Sequence, residues 1–255
     1  MRITRAVVPS LFTILNIFCG FRSIIHTSQG DYVLAAWFII LAAIFDMLDG
    51  VMARITKSSS DFGVELDSLS DVVSFGAAPS FLAYSVHIRT LEGWGMLISA
   101  MPMIFGALRL ARFNVQLIGF DKDFFKGLPI PAMAVTVASF VLQFVDEVNK
   151  MPLLAEFLLP VMLVILSLLM VSTIKYDTIP KFSRRGIKQH PLRFTIGIIG
   201  ITAIAVTRGE ALFAFFVFFV ATGPIRYIVQ YIYHAAHPSH KEAVEKGREI
   251  TSIDI

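Results

Sequence analysis

Four aspartates fall into two pairs at helical spacing: Asp46 and Asp49 are three residues apart, Asp67 and Asp71 four apart. On a helix each pair shares one face. Only a short connection separates the two segments, so the sequence predicts antiparallel neighbouring helices whose ends gather four carboxylates into one small volume. Four anions packed together repel, and a positive partner must balance them. Oxygen ligands without His or Cys suit Mg²⁺ or Mn²⁺, which also bind phosphate oxygens. Two such ions sharing carboxylates, roughly 3.5–4 Å apart, would clamp a phosphoryl group and stabilise its transition-state charge. Gly50 and Ala53 lack bulk just past the first pair, which leaves room for a flat base or a diphosphate. Arg54 would then neutralise a phosphate oxygen. One intramembrane Asp reads equally well as a partner of Arg, and Asp67 alone as a helix N-cap. Four at these spacings, beside small residues and an arginine, read as a site for metal-dependent phosphoryl transfer.

The elements that must hold these acids are apolar. Of the 255 residues, 56% are hydrophobic and 16% charged, with a mean hydropathy of +0.72. A soluble domain carries about a quarter charged residues, so lipid is the natural solvent for this surplus. The single cysteine, Cys19, excludes an intramolecular disulfide. A bilayer core of ~30 Å takes about 20 apolar residues per helix. On that measure eight spans are expected, at about 9–28, 32–54, 69–88, 93–112, 129–146, 152–174, 192–207 and 210–233. The first lacks an A-x-A-like exit and is expected to remain as a span. With the N-terminus in the cytosol, 18 of the 22 Lys and Arg fall on the inside, and only Arg22, Arg89, Lys150 and Arg208 lie outside. Both termini and all four acids are then cytosolic. The basic, Pro180- and Gly186-containing stretch 175–191 reads as a cytosolic loop between a six-helix body, 1–174, and a two-helix appendage, 192–234, followed by a polar tail, 235–255.

The pattern Asp46-x2-Asp49-Gly50-x2-Ala53-Arg54-x8-Gly63-x3-Asp67-x3-Asp71 resembles the signature of the CDP-alcohol phosphotransferase family at every fixed position. The resemblance covers roughly the first six spans. It implies an all-α integral membrane protein with a six-helix core, here with two extra C-terminal transmembrane helices, usually a homodimer in the bilayer. The implied reaction moves a substituted phosphate from a CDP-linked donor to an alcohol and releases CMP, with two divalent cations, Mg²⁺ or Mn²⁺. Asp46, Asp49, Asp67 and Asp71 would be the metal ligands, and Asp71 also the general base. Gly50, Ala53, Arg54, Ser60 and Gly63 would line the CDP-lipid pocket. On the first helix the family often carries Pro-Asn-x-x-Thr; here Pro9-Ser10-Leu11-Phe12-Thr13 departs at Ser10, and Thr13 and Asn16 are the expected first-helix contacts.

Three further stretches are similar to family members that take L-serine as acceptor and CDP-diacylglycerol as donor: Ser74 to Pro79, Leu108 to Asn114, and Phe125 to Pro131. Serine brings a carboxylate, and Arg109, Arg112 and Lys126 lie on the same side as the aspartates and would receive it, with Asn114 as a donor or acceptor. Each arginine alone reads equally as positive-inside anchoring. The aspartates do not separate serine from glycerol 3-phosphate, inositol phosphate or choline, nor an ester from an ether-lipid donor. An intramembrane prenyltransferase would lack the Gly50, Ala53-Arg54 and Gly63 spacing. An ion-coupled transporter would show repeated halves and breaks at the midplane, whereas these acids cluster at one edge. A prokaryotic cytoplasmic membrane is the expected location, with no nucleic-acid partner. His234, His237 and His240 read as solvated tail.

Overall fold

In a computed structural model, described over residues 7–56, 61–116, 124–145, 150–177 and 211–236, the chain is nearly all helical. Helix α1 (Val7–Gln29) turns back into α2 (Tyr32–Thr56) through a Schellman closure. Gly30 takes φ +85°, its N–H donates to the Thr27 carbonyl at 3.1 Å, and the Asp31 N–H donates to the His26 carbonyl at 2.9 Å. Glycine adopts this left-handed conformation without a Cβ penalty, so the two helices reverse with almost no loop.

The next rod comprises α3 (Asp61–Asp71), a π-helical turn at Val72–Ala77, and α4 (Ala78–Val86). It is continuous, since Asp71 keeps helical φ and ψ of −61° and −41°. Pro79 accounts for the wide turn. It has no N–H for the Phe75 carbonyl and its ring crowds that carbonyl, so the ladder shifts register and the Ala78 N–H bonds back to Val73. A 3₁₀ turn (Ile88–Leu91) leads into α5 (Glu92–Gln116). Then come β1 (Phe124–Lys126), α6 (Ile130–Phe144), α7 (Leu153–Val171), β2 (Lys175–Asp177) and α8 (Ala211–Ala236).

Among the described residues five helices are long and apolar enough to cross a membrane: Ser10–Gln29, Tyr32–Ala53, Ile88–Val115, Leu153–Val171 and Ala211–Tyr233. These match the first, second, fourth, sixth and eighth expected spans, and the chain is built as an integral membrane protein. The fifth expected span is the shorter apolar helix Ile130–Phe144. The third is present as the rod 61–86, but Glu65, Asp67, Asp71 and its serines dilute its apolar content. The seventh, 192–207, lies outside the described residues, as do most of the basic stretch and all of the tail beyond Ala236. The all-α expectation has one small exception: β1 pairs antiparallel with β2, Phe125 opposite Tyr176. Aromatic residues favour this pleated pairing, and the ribbon ties the chain after α5 to the chain after α7.

Helix α6 is the axis of the core. Every residue from Ile130 to Val141 except Pro131 is buried, and it packs against α2, the π turn, α4, α7 and α8. A helix that is apolar all round belongs at the centre. Helix α8 docks through Phe213, whose ring lies 5.5 Å from those of both Phe140 and Phe144. A second anchor is Tyr176, which is buried, donates to the Val220 carbonyl at 3.1 Å and fits against Gly223. Burial pushes the Tyr176 phenol up to about 12, so it stays a neutral donor at any physiological pH. Large apolar side chains on the outer helix faces, such as Trp94, Leu153, Phe157 and Tyr231, are exposed, as a lipid-facing surface requires.

Lipid tails are as apolar as leucine, so helices in a bilayer are held by close approach and interhelical hydrogen bonds. The α1–α3 seam uses both. Ser70 donates to the Thr13 carbonyl at 3.3 Å and Ser74 to the Asn16 carbonyl at 2.9 Å. Gly20 lets the backbones touch: a Cβ there would overlap Ser74 Oγ and lie 2.7 Å from Ser74 Cα. Gly20→Ala should therefore force α1 off the π turn and destabilise the protein by about 1–3 kcal/mol, read as a lower melting temperature in detergent. Adding Ser74→Ala should not restore it, because the backbone overlap remains; full recovery in the double variant would show that only the hydroxyl was in the way.

Candidate active site

Helix α2 delivers Asp46 and Asp49 from its C-terminal half, and α3 delivers Asp67 and Asp71. One carboxylate oxygen from each of Asp46, Asp67 and Asp71 lies within 4.8 Å of the others. Asp49 stands beside this trio, close enough to act on the charges of Asp46 and Asp67, and its Oδ2 accepts a hydrogen bond from the Thr13 hydroxyl of α1. Asp46 and Asp67 are half-buried, while Asp49 and Asp71 are buried.

The electrostatics of this arrangement call for a cation. Like charges within 4.8 Å repel by about 3 kcal/mol per pair at an effective dielectric of about 20. Among the described side chains, Arg109 of α5 supplies a cation, a buried guanidinium whose charge acts on Asp71. One positive charge does not balance four carboxylates. Asp71 Oδ1 is buried with no hydrogen-bond partner, and the converging donors are all carboxylate oxygens, the ligand type of hard divalent ions. The residues present fit a metal ion at this position.

Helix α1 forms the third wall. Thr13 holds Asp49, and Asn16, a turn further along, lies fully buried beside the Asp71 carboxylate. Neither the Oδ1 nor the Nδ2 of Asn16 completes a hydrogen bond. Past the first pair of acids α2 carries little bulk at Gly50 and Ala53. Gly50 is exposed, and a Cβ built there would meet nothing within 4 Å. Ala53 and Gly63 are half-buried. Ser60 lies outside the described residues, and so do the side chains of Arg54 and Lys126, although both residues have described backbone, in α2 and β1.

The expected acceptor residues separate. Arg109 is gathered to Asp71, and Asn114 reaches the α3 rod, donating to Ser68 Oγ at 2.9 Å. Arg112, three residues from Arg109, is exposed and donates to the Val171 carbonyl at the end of α7 at 3.3 Å, so it does not join the acids. Sequence reasoning passed over Ser68, Ser70 and the α1-facing role of Ser74. The available signal was the spacing of Ser70 and Ser74, four apart and interleaved with the acids. It also missed the π turn, which starts at the residue after Asp71 and is a feature frequent at functional sites.

The comparison with known proteins agrees with this geometry. The model of the CDP-alcohol phosphatidyltransferase family matches residues 6–171, which hold all four aspartates and α1 through α7. A CDP-diacylglycerol–serine O-phosphatidyltransferase of Helicobacter pylori is 40% identical over 223 residues, covering 86% of this chain and 90% of that protein. The protein of that name from Bacillus subtilis is 35% identical over 187 residues, covering 71% of this chain and 96% of the relative. An archaetidylserine synthase of Methanothermobacter thermautotrophicus is 40% identical over 177 residues, 68% of this chain and 70% of that one. With its signature acids converging in space and the family's match running across the helices that carry them, this chain belongs to the CDP-alcohol phosphatidyltransferase family.

Proposed function

We propose that this enzyme transfers the phosphatidyl group of CDP-diacylglycerol to the hydroxyl of L-serine, giving phosphatidylserine and CMP. The observation that carries the reading is the convergence of Asp46, Asp67 and Asp71 oxygens within 4.8 Å, in a chain whose similar relatives are named for serine phosphatidyl transfer. The excess of Lys and Arg on one side supports a cytosolic site and cytosolic termini in a prokaryotic cytoplasmic membrane, with eight spans arranged as a six-helix core, a basic loop and a two-helix appendage. The family resemblance supports a homodimer.

Asp46, Asp49, Asp67 and Asp71 would hold two divalent cations, Mg²⁺ or Mn²⁺, which when bound offset the negative charge of the diphosphate and of the transition state. The donor lies with its acyl chains in lipid and its CDP head on the open side of the site, against Gly50, Ala53 and Gly63, with Ser60 and Thr13 at the edges of that pocket. Asp71 takes the proton of the serine hydroxyl as that oxygen forms its bond to the lipid-bearing phosphorus. The bond from that phosphorus to the CMP oxygen breaks, and Arg54 neutralises the leaving phosphate. Arg109 and Lys126 receive the serine carboxylate, with Asn114 and Arg112 at the periphery. Positioning and electrostatics supply most of the rate, as in other phosphoryl transfers.

A second reading keeps the chemistry and changes the donor to an ether-lipid CDP conjugate; the similarity to an archaetidylserine synthase favours it.

The deciding assay incubates purified protein with CDP-diacylglycerol, or its ether counterpart, and each radiolabelled alcohol in turn. Serine with the ester donor is expected to give labelled lipid and CMP; a different preferred alcohol would replace serine in this scheme. Activity should vanish with EDTA and return with Mg²⁺ or Mn²⁺. Chelator-resistant turnover would remove the metals from it. Asp71→Asn should lower turnover by about 10²–10⁴-fold, the usual share of general acid–base catalysis. Its melting temperature should be no lower than wild type, since the change relieves repulsion. Near wild-type turnover in that variant would take the proton-acceptor role away from Asp71.

A further inference from the structure

We infer that Asn16 is a positioning residue for Asp71: in the substrate-loaded site its Nδ2 donates to one Asp71 carboxylate oxygen and aims the other at the acceptor hydroxyl. The inference rests on the phosphatidyl-transfer reading and goes beyond it by giving a first-helix residue a role in the proton-transfer step and not in nucleotide binding.

Four observations lead there. Thr13, Asn16 and Gly20 are three and four residues apart, so they share one face of α1. That face is fixed against the acid-bearing helices above and below Asn16: Thr13 donates to Asp49, and Gly20 meets Ser74. Asn16 is itself pinned, because its carbonyl accepts from Ser74 Oγ at 2.9 Å. Its side chain is fully buried beside Asp71, and its Oδ1 and Nδ2 have no hydrogen-bond partner. Asp71 Oδ1, also buried, lacks a partner too.

Two unsatisfied, complementary groups therefore lie side by side: an amide with two N–H donors and a carboxylate oxygen that can only accept. Leaving either without a partner in a water-excluded interior is costly, and the amide lies close enough to act on the Asp71 carboxylate as a hydrogen-bonding group. Nucleotide binding explains the residue less well. Gly50, next to Asp49, is exposed, whereas Asn16 has no exposed surface. A carboxylate held by one oxygen presents the other in a fixed direction, which is what a proton acceptor needs as the hydroxyl oxygen attacks.

The test compares wild type with Asn16→Asp, which keeps the shape but offers no amide donor, Asn16→Ala, and Asn16→Gln, which keeps the donor on a longer arm. The expected result for Asp and Ala is a fall in kcat of about 10- to 100-fold, the effect of losing one hydrogen bond to a charged group. The KM for CDP-diacylglycerol and the Kd for CDP by calorimetry should stay within about twofold of wild type, and Gln should recover part of kcat. Mn²⁺ binding followed by electron paramagnetic resonance should persist in Asn16→Asp, which separates misaimed Asp71 from a lost metal site. Should the alanine variant fold poorly in detergent, the isosteric Asp variant still decides the matter. A raised KM or Kd with unchanged kcat would make Asn16 a nucleotide contact and overturn the proposal, as would wild-type kinetics in all three. A wild type that releases no CMP with any acceptor overturns the underlying reading instead, and it does so before any variant is made.

Discussion

Mutual repulsion among acids at a lipid-embedded helix junction is the constraint around which this structure is built. Asp46, Asp67 and Asp71 converge from two helices that electrostatics alone would drive apart. Neutralising them with protein cations would occupy the coordination positions that chemistry needs. The fold instead holds the helices by contacts that leave the carboxylates available. Serine hydroxyls of the α3 rod bond backbone carbonyls of α1, a glycine brings the two backbones together, and the buried axis α6 braces α2 and the π turn from behind. Among the described side chains Arg109 contributes a counter-charge, and it acts on Asp71.

The π turn belongs to the same solution. A proline inside a rod that carries the converging acids would ordinarily kink it. Here the loss of one backbone bond is absorbed by a wide turn at Val72–Ala77, centred on buried Ser74, Phe75 and Gly76, and the rod continues. The acids before the turn act on groups of α2, α5 and α1, while Ser70 and Ser74 bond carbonyls of α1. One helix thereby carries two chemistries, carboxylates for a cation and hydroxyls for carbonyls.

Much of this site was legible from spacing, because the period of a helix is short and fixed: i, i+3 and i, i+4 acids on two closely connected helices have few other ways to lie. The spans were legible for a similar reason, since apolar length is a property of composition. Where the sequence fell short, the deciding contact was distant. Arg109 and Arg112 sit one turn apart with the same charge and apolar residues on either side, and nothing local distinguishes the one beside Asp71 from the one that bonds the end of α7. Tyr176 lies where basic residues read as loop, yet it is buried by a glycine 47 positions later. The rod 61–86 reads as a weak span because the residues that make it functional are the ones that lower its hydropathy.

Exposure across the four acids gives the site a direction. Gly50 is exposed, Asp46 and Asp67 are half-buried, and Asp49 and Asp71 are buried, Asp49 against Thr13 and Asp71 with Asn16 beside it. A charged head group entering past Gly50 meets the accessible carboxylates first, where divalent cations would offset its charge. The deepest acid, shielded from bulk water, is then the one whose basicity the protein controls most, because a dry surround magnifies each neighbouring dipole and charge. On the proposed reading, Arg109 and Asn16 beside Asp71 and small residues past Asp49 would separate the two demands on the site: tolerance of a bulky phosphate, and a strictly aimed carboxylate.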